Sequence, residues 1–243
     1  MSKKIKLEIL HDDPHFLIVN KEPGMLSIPD RFVAEIPNLL KSLNQIHEKV
    51  FVVHRLDKET SGIICYAKTE EAHKHLNKQF LDRTVDKHYL AVVEGSPYPT
   101  SGEIDLAIIE SSVTRGKMIV KKTGKPSLTV FETLEFFKHY SLVDANIKTG
   151  RMHQVRIHFS AIGHPLAIDP LYGRQSEIFL SKIKRKKFNL QKNVEERPLM
   201  SRTTLHAHSL EFDHPVTGER MKFEAEPPKD FRALLNQLRK WGN

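Results

Sequence analysis

The stretch FVVHRLDKETSGIICYAKT, residues 51–69, decides the architecture because it joins two apolar β-type segments through a polar loop. The apolar residues 51–53 and the β-rich residues 61–67 predict two strands. A hairpin between them would need only about two to five turn residues rich in Gly, Asn or Asp. A longer polar loop on a rigid scaffold is typical of a functional site, although local side-chain hydrogen bonds could also explain it.

Outward from this stretch, the chain predicts strands that cluster in hairpins, with a few helices between them. Thr69, followed by Glu70 and Glu71, predicts a helix that runs to about Leu81. Apolar residues at helical spacing predict further helices at residues 37–49, 176–189 and 229–241. Further strands are predicted at residues 5–10, 16–20, 88–94, 127–135, 141–147, 153–159, 203–212 and 221–225. Because strands and helices do not alternate, the pattern favours an α+β fold with a mixed, mostly antiparallel sheet.

A second polar constellation occupies residues 148–158. If residues 153–158 form a strand, Gln154, Arg156 and His158 share one of its faces. Burying three unpaired polar side chains is costly, so this face would meet water or line a cleft. Arg156 could hold a carboxylate there through two parallel hydrogen bonds.

A third constellation, residues 87–95, has the alternating pattern of a strand. Tyr89 shares a strand face with Ala91 and Val93. Taken alone, an aromatic residue in this position is more simply explained as part of the core than as a catalyst.

The composition is that of an ordinary globular protein with an excess of positive charge. The 243 residues include 38 Lys and Arg against 30 Asp and Glu, which gives a formal net charge of +8. The single cysteine, Cys65, excludes an internal disulfide and zinc sites built on two or four cysteines. No apolar run reaches about 18 residues, so we expect no membrane span and a reduced, cytoplasmic setting. No phosphate-binding glycine loop and no metal-ligand spacing among the 14 histidines is found, so neither cofactor nor metal is expected.

The positive charge is concentrated in two segments. Residues 174–202 carry a net +6 and residues 111–125 a net +5, so that the rest of the chain carries −3. Such segments can be solvated surface or can contact phosphates, and their composition leaves both readings open. The segment 174–202 is interpreted as a basic insertion within a single domain that spans residues 1–243.

Several separated motifs, in the same order, resemble those of the RluA family of RNA pseudouridine synthases. The three longest are His54-Arg55-Leu56-Asp57-x-x-Thr60-Ser61-Gly62 for the catalytic loop, Lys87-x-Tyr89-x-Ala91-x-Val93-x-Gly95 for the tyrosine motif, and Thr149-Gly150-Arg151-x-His153-Gln154-Val155-Arg156-x-His158 for the arginine motif. The shorter ones are Val19-Asn20-Lys21 with Pro23-Gly24, Ala67-Lys68-Thr69, Gly163-His164-Pro165, Asp169-x-x-Tyr172-Gly173, and Leu205-His206-Ala207 with His214-Pro215. The resemblance covers about residues 7–240.

The resemblance implies the pseudouridine synthase fold, with the sheet around a central RNA-binding cleft, and an isomerase that acts on uridine in RNA. The bond between N1 and C1′ breaks, and the base rotates and rejoins the sugar through C5. Asp57 is the implied essential aspartate, and it would either attack C1′ or remove a sugar proton. Arg156, with Arg151 as the alternative, is the implied salt-bridge partner that favours the ionised carboxylate. Tyr89 would stack on the flipped uracil.

The same resemblance implies a set of RNA contacts. Arg55 resembles the residue that fills the space left by the flipped base. The other implied contacts are His54, Arg151, His153, Gln154, Lys184, Arg185, Lys186 and Lys187. Ribosomal RNA is favoured over transfer RNA as the partner, and a monomer is expected. Because the first motif starts near residue 7, no RNA-binding module of the S4 kind is expected before the core.

The chain departs from the family pattern at three places. Ile168 stands where a glycine is usual, Glu22 is inserted before Pro23, and the basic stretch after Gly173 is longer than in compact members. Two other functions stay open, namely a catalytically inactive RNA-binding protein on the same fold and a metal-dependent hydrolase that uses histidines. The intact Asp57 argues against the first, and the missing ligand set argues against the second.

Overall fold

The computed structural model describes residues 7–30, 32–33, 35–189 and 195–242. The strands are β1 (Glu8–Asp12), β2 (Phe16–Lys21), β3 (Phe51–Val52), β4 (Ser61–Ala67), β5 (Asp86–Glu94), β6 (Ser101–Asp105), β7 (Ile108–Glu110), β8 (Met118–Val120), β9 (Leu128–Phe136), β10 (Tyr140–Ile147), β11 (Leu205–Asp213) and β12 (Arg220–Glu224). The helices are α1 (Leu39–Leu43), α2 (Glu70–Asp82), α3 (Gln154–Ala161), α4 (Leu180–Lys184) and α5 (Lys229–Trp241), and a 3-10 turn covers Arg185–Lys187. The chain divides into two compact units, Met1–His88 with His206–Glu226 and Tyr89–Leu205 with Pro227–Asn243.

The first unit is built around β4. This strand pairs antiparallel with β2 and β3, and it runs parallel to β11 at Ser61 and Gly62. All seven residues of β4 are buried, which explains why its sequence is an unbroken run of small and apolar residues rather than an alternating one. The antiparallel pairs of β1 with β2 and of β11 with β12 complete the sheet of this unit.

The second unit carries the strand order β5-β10-β9-β6, and β9 pairs antiparallel with β10 and β6. Alternate residues of β5 serve two cores. Ala91 and Val93 pack in one cluster with Val155 of α3, whereas Val92 packs in another with Phe231 of α5. Helices therefore cover both faces of this part of the sheet, and the predicted α+β class with a mixed, mostly antiparallel sheet is confirmed.

Two helix predictions are confirmed closely. The Thr69 hydroxyl accepts a hydrogen bond from the Ala72 amide at 3.1 Å, and this cap starts α2 where the sequence predicts it. α5 covers the predicted residues and buries its apolar stripe, including Leu234 and Leu238. Among the helices of the described residues, none has the length and apolar character needed to span a bilayer.

The prediction of a strand at residues 153–159 is wrong, because Gln154–Ala161 forms α3. Val155 and Phe159 are apolar residues four apart, and both are buried on one side of the helix. The strand reading arose because Val155, Ile157 and Phe159 also alternate with polar residues. In the helix, Gln154 and His158 share one side, and Arg156 points away from that pair.

Two other predicted helices are shorter than expected. In place of 37–49, α1 covers only Leu39–Leu43, since the Asn44 side chain accepts a hydrogen bond from the Val50 amide and turns the chain. In place of 176–189, α4 covers Leu180–Lys184, because Ile178 is extended and pairs with Met200. Residues 190–194 of the predicted basic insertion lie outside the described residues.

Candidate active site

In the first unit, the loop between β3 and β4 is held in place through the backbone of Leu56, the residue before Asp57. The Ser27 hydroxyl donates to the Leu56 carbonyl at 2.9 Å and accepts from the Leu56 amide at 3.1 Å. The Tyr66 hydroxyl donates to the Ser27 carbonyl at 2.7 Å, so the serine is itself held by β4. Leu56 is buried, and both of its backbone polar groups are satisfied by this single side chain.

On the other side of Asp57, a buried lysine holds the chain. The Lys21 ammonium donates to the carbonyls of Lys58, Met25 and Glu22 at 3.0, 2.9 and 3.1 Å. Lys21 is only 1% exposed, and three carbonyls at hydrogen-bond distance explain how its charge is tolerated there. The Gly24 amide also donates to the Lys58 carbonyl at 2.9 Å. The half-buried Asp57 therefore sits between two anchored residues.

His54 ties the start of the loop to β4. Its Nε2 accepts a hydrogen bond from the Cys65 amide at 3.0 Å, and its ring stacks on Phe80 with centroids 4.8 Å apart. A backbone N–H can only donate, so Nε2 carries no proton and the imidazole is neutral. Burial, with the nearby Lys87 charge, lowers the pKa of His54 to about 3. The Lys87 ammonium lies 5.4 Å from the Phe80 ring centroid, which links the tyrosine motif to this contact. The neighbouring Arg55 is exposed.

The end of the loop, Ser61-Gly62, requires small residues. The His206 Nε2 donates to the Ala225 carbonyl at 2.9 Å, so its Nδ1 accepts from the Ser61 hydroxyl at 3.0 Å. Gly62 has φ +115°, and a Cβ on it would lie 2.1 Å from the Ala207 carbonyl oxygen. Only glycine allows β4 and β11 to approach this closely.

In the second unit, Arg156 forms a buried, two-pronged ion pair with Asp169. Its Nε donates to Oδ2 at 2.7 Å and its Nη2 to Oδ1 at 2.8 Å. Asp169 is fully buried and Arg156 is 8% exposed. Asp169 Oδ1 also accepts from the amides of Leu171 and Tyr172 at 2.9 and 3.1 Å. This pairing holds one edge of the guanidinium in a defined orientation.

Tyr172 lies against the other parts of the arginine motif. The Arg156 guanidinium carbon is 5.1 Å from its ring centroid, and its hydroxyl accepts from the Met118 amide at 2.7 Å. The same hydroxyl lies 2.8 Å from Nδ1 of His153, which has φ +56° at the start of α3. The next position, 173, requires glycine because a Cβ there would lie 2.8 Å from the Asp169 carbonyl oxygen.

Gln154 holds the turn before α3. Its Oε1 accepts from the Thr149 hydroxyl at 2.6 Å and the Arg151 amide at 3.1 Å. Its Nε2 donates to the Leu128 carbonyl and to the Thr129 hydroxyl at 2.9 and 3.0 Å. Both lone pairs and both N–H groups of the amide are therefore used within the protein.

His158 continues the same network on the buried side of α3. Its Nε2 donates to the Leu106 carbonyl at 3.0 Å, and its Nδ1 lies 2.9 Å from the Thr129 hydroxyl. Burial lowers the pKa of His158, in keeping with a neutral ring. Of the three side chains predicted to share one face, two thus hold α3 on the sheet and the third binds Asp169.

Comparisons with known proteins agree with one another. A family model described as RNA pseudouridylate synthase matches residues 15–161. The chain is 35% identical over 247 residues to the ribosomal large subunit pseudouridine synthase D of Zymomonas mobilis, across 96% of this chain and 73% of that protein. It is 37% identical over 244 residues to the protein of the same name from Pseudomonas aeruginosa, across 98% of this chain and 74% of that protein. The chain belongs to the RNA pseudouridylate synthase family.

The pseudouridine synthase is also similar to a solved structure, human RNA pseudouridylate synthase domain containing 1. The TM-score is 0.70 at 28% sequence identity, and the alignment covers 94% of this chain and 87% of that one. The predicted family, the α+β pseudouridine synthase fold and the class of isomerase are confirmed. The matched residues 15–161 include Asp57, Tyr89 and Arg156, whereas Asp169 and Tyr172 follow them.

The remaining predicted site residues of the synthase lie in exposed or half-buried positions. Tyr89, on β5, is half-buried and packs against the same cluster as Ala91 and Val93, so the predicted strand face is confirmed. Arg151 is half-buried, and its Nε donates to the Pro126 carbonyl at 3.3 Å. In the basic insertion, Lys184 ends α4 and is half-buried, whereas residues 185–187 form the exposed 3-10 turn.

Sequence reasoning missed three positions of the synthase that hold this machinery. Ser27 and Lys21 fix the backbone around Asp57, and Asp169 orients Arg156. Lys21 and Asp169 belong to two of the shorter sequence motifs, but the spacing of a motif does not reveal which charged side chain is buried, so no role was predicted for either. Ile168, the departure from the family pattern, is fully buried in the cluster that contains Phe231. Its side chain fills core space, and Asp169 beside it keeps its contacts.

Proposed function

We propose that this synthase isomerises specific uridines in the RNA of the large ribosomal subunit. The similarity to two relatives named for that RNA supports the choice of substrate. The anchored position of Asp57, with Leu56 held by Ser27 and Lys58 held by Lys21, supports its role as the essential carboxylate. A reacting group must be held within a fraction of an ångström of its productive geometry, and two fixed neighbours serve that need.

In the proposed reaction, the target uridine leaves its stack at a cost of a few kcal/mol. Asp57 then either attacks C1′ or removes a sugar proton, and the N1–C1′ bond breaks. The uracil rotates and C5 bonds to C1′. C5 loses its hydrogen as a proton and N1 gains one, so the product is an isomer of the substrate. No oxidant, metal or cofactor is needed for this balance.

The other site residues have proposed roles around that step. Tyr89 stacks on the flipped uracil, and the exposed Arg55 fills the space that the base leaves in the RNA. Arg156 pairs with the Asp57 carboxylate and orients it. Its contact with Asp169 supports this role because a guanidinium fixed along one edge presents its other N–H groups in a defined direction.

For two predicted RNA contacts we propose positioning roles instead. His54 accepts a hydrogen bond from the Cys65 amide and stacks on Phe80, and both contacts suit an anchor for the catalytic loop. Gln154 has all four hydrogen-bonding positions occupied by protein groups, which suits an anchor for the turn that carries Arg151. The exposed basic residues 185–187, together with Arg151 and His153 of the arginine motif, remain the proposed contacts with RNA.

Release of tritium from transcripts labelled at C5 of uridine tests the reaction directly. We expect release from large-subunit ribosomal RNA, with none from small-subunit RNA or transfer RNA, and the same rate with EDTA present. Asp57→Asn, which keeps the shape of the side chain, should abolish release. Activity that persists in Asp57→Asn would refute the assigned catalyst. Loss of activity only with EDTA would favour a metal-dependent reaction, and release from transfer RNA alone would refute the substrate.

We further propose that the synthase acts as a monomer in the cytoplasm, where its ribosomal RNA substrate is made. Sedimentation at micromolar protein concentration should give one species of about 28 kDa, the mass of the chain. A species of twice that mass, with activity that falls on dilution, would contradict the monomer.

A further inference from the structure

A cavity in the second unit lies apart from the residues proposed for catalysis. Its volume is about 400 Å³, and its walls come from the β9–β10 turn, from α4 with the following 3-10 turn, and from the end of α5. Seven of the thirteen lining residues are Lys or Arg, and none of those described is Asp or Glu. We call this cavity the Trp241 pocket. Tyr89, Arg156 and Asp169 are not among its lining residues.

Three ammonium groups converge on one indole ring in this pocket. The Nζ atoms of Lys184, Lys187 and Lys240 lie 5.1, 5.2 and 5.3 Å from the Trp241 ring centroid. The π electrons of the ring attract each ammonium and partly offset the repulsion among the three. Trp241 therefore acts as a centre that holds cations from α4, the 3-10 turn and α5 close together.

Arg185 adds a fourth positive group, a guanidinium, beside this centre. It has φ +52° with ψ −121°, a sparsely populated backbone conformation that costs free energy for a residue with a side chain. Its Nη2 donates to Nε2 of His139, so that ring nitrogen is unprotonated. Burial, together with the charges of Arg185 and Lys138, lowers the pKa of His139. The strained turn thus directs a guanidinium at the pocket instead of continuing α4.

The neighbouring carboxylates of the described residues are engaged elsewhere. Asp230 binds Arg202 and Glu135 binds Arg239, each through two hydrogen bonds. Glu196 accepts from the Ser181 amide at 2.8 Å. Within the part of the chain that the structure describes, none of the seven pocket cations forms a salt bridge with an acid. The positive charge is therefore left for an external anion.

We propose that the Trp241 pocket binds phosphates of the RNA substrate at nucleotides other than the target uridine. This inference rests on the proposed function, since it assumes that RNA is the polyanion presented to this face. Lysines supply the charge, and the Arg185 fork suits a phosphodiester group with two oxygens to bind. Because three or more cations converge, successive phosphates of a strand fit the pocket better than one inorganic phosphate does.

Trp241 is the only tryptophan in the chain, so its fluorescence reports on this pocket without a label. The probe is a dodecamer of adenylate, which has the RNA backbone but no uridine for the catalytic site. We expect a saturable change in tryptophan emission that weakens as salt rises, and no such change with inorganic phosphate at equal ionic strength. An equal response to phosphate would show a simple anion site. Oligonucleotide binding, followed by anisotropy of a labelled strand, without any change in tryptophan emission would refute the proposal.

Charge removal with a matched control completes the test. Lys184→Gln with Lys187→Gln removes two pocket charges, and Lys229→Gln with Arg232→Gln removes two exposed charges from the start of α5. For two phosphate contacts on a single strand, the slope of log K against log salt should fall by about 1.4, which is about 25-fold weaker binding at 0.1 M salt. The control pair should change both much less.

Tritium release from saturating substrate RNA separates this inference from the proposed function. The pocket variant should keep its kcat and raise its KM. If wild type releases no tritium yet binds adenylate through Trp241, the proposed function fails and the pocket stands. If release is normal while both double variants bind adenylate equally well, the pocket fails and the proposed function stands.

Discussion

The ion pair between Arg156 and Asp169 makes a quantitative prediction. Asp169→Asn keeps the size of the side chain, and its Oδ1 can still accept the amides of Leu171 and Tyr172. The new amide N–H group, however, faces a guanidinium that can only donate. Removing one partner of a buried ion pair leaves the other charge uncompensated, which costs about 3–5 kcal/mol. For a chain of this length, that corresponds to a fall in Tm of roughly 6–20 °C.

Asp169 is proposed to position Arg156, so stability alone does not test its role. The matched control is Asp230→Asn, because Asp230 binds Arg202 in the same two-pronged manner, at 2.6 and 2.8 Å, within the same unit. The Asp230 side chain is about one-third exposed, at 34%, so its loss should cost less, about 1.5–3 kcal/mol. Thermal unfolding by circular dichroism gives both Tm values.

Kinetics well below both Tm values then separate the two carboxylates. In Asp169→Asn, the kcat for tritium release should fall by about tenfold to a hundredfold, because the guanidinium is no longer held in its orientation. KM should change less, and Asp230→Asn should retain the wild-type kcat. Equal kcat values in the two variants would refute the reasoning and would leave Asp169 as a structural residue only.

Three further substitutions test the anchors of the loop that carries Asp57, the proposed catalyst. Gly62→Ala places a Cβ 2.1 Å from a carbonyl oxygen and should lower the free energy of unfolding in urea by at least about 3 kcal/mol. The control Gly218→Ala also has a positive φ, +72°, but its added Cβ would meet nothing within 4 Å, so it should cost about 1 kcal/mol. Lys21→Met removes the ammonium donor from three carbonyls, of which that of Lys58 keeps the Gly24 amide. It should therefore lower the free energy of unfolding by about 2–4 kcal/mol and also lower kcat, and an unchanged kcat would contradict its role beside Lys58. The folded-state pKa of His54, about 3, lies below its ordinary value of 6.5. The neutral ring therefore contributes its full stabilisation above pH 6.5. This contribution is lost as pH falls toward 3, at up to about 1.4 kcal/mol per pH unit. Between pH 7 and 4, the free energy of unfolding should fall less steeply with pH in His54→Gln than in the wild type. An identical slope in both proteins would show that the ring is protonated in the native state.

Most strands and the two long helices were predictable because burial in one core imposes a regular period. Within β4, residues 63–67 form an apolar run between Gly62 and Lys68, and α2 starts after a capping threonine that is followed by two acids. The resemblance added the position of Asp57 and the order of the motifs. These features are local, so a single sequence contains them.

The error at α3 shows where local patterns fail. Residues 153–159 satisfy both a two-residue and a four-residue period, and the choice depends on partners far along the chain. The Thr129 hydroxyl accepts a hydrogen bond from Gln154 and lies beside the His158 ring, and the Asp169 carboxylate accepts hydrogen bonds from Arg156. Those bonds form only if the three side chains point in helical directions, so tertiary contacts outside the segment decide its conformation.

Charge is the quantity that the sequence describes least well, and the second unit shows why. Arg156 and Arg202 count toward the net +8, yet each is buried against a carboxylate and contributes to the fold. The cations of the Trp241 pocket count equally, but no carboxylate among the described residues contacts them. What separates the two groups is the partner that folding supplies, not the number of basic residues in a segment. The part of the +8 that attracts RNA is therefore set by which acids the fold pairs internally, and a substitution such as Asp230→Asn should strengthen binding of RNA only if the released arginine reaches the surface.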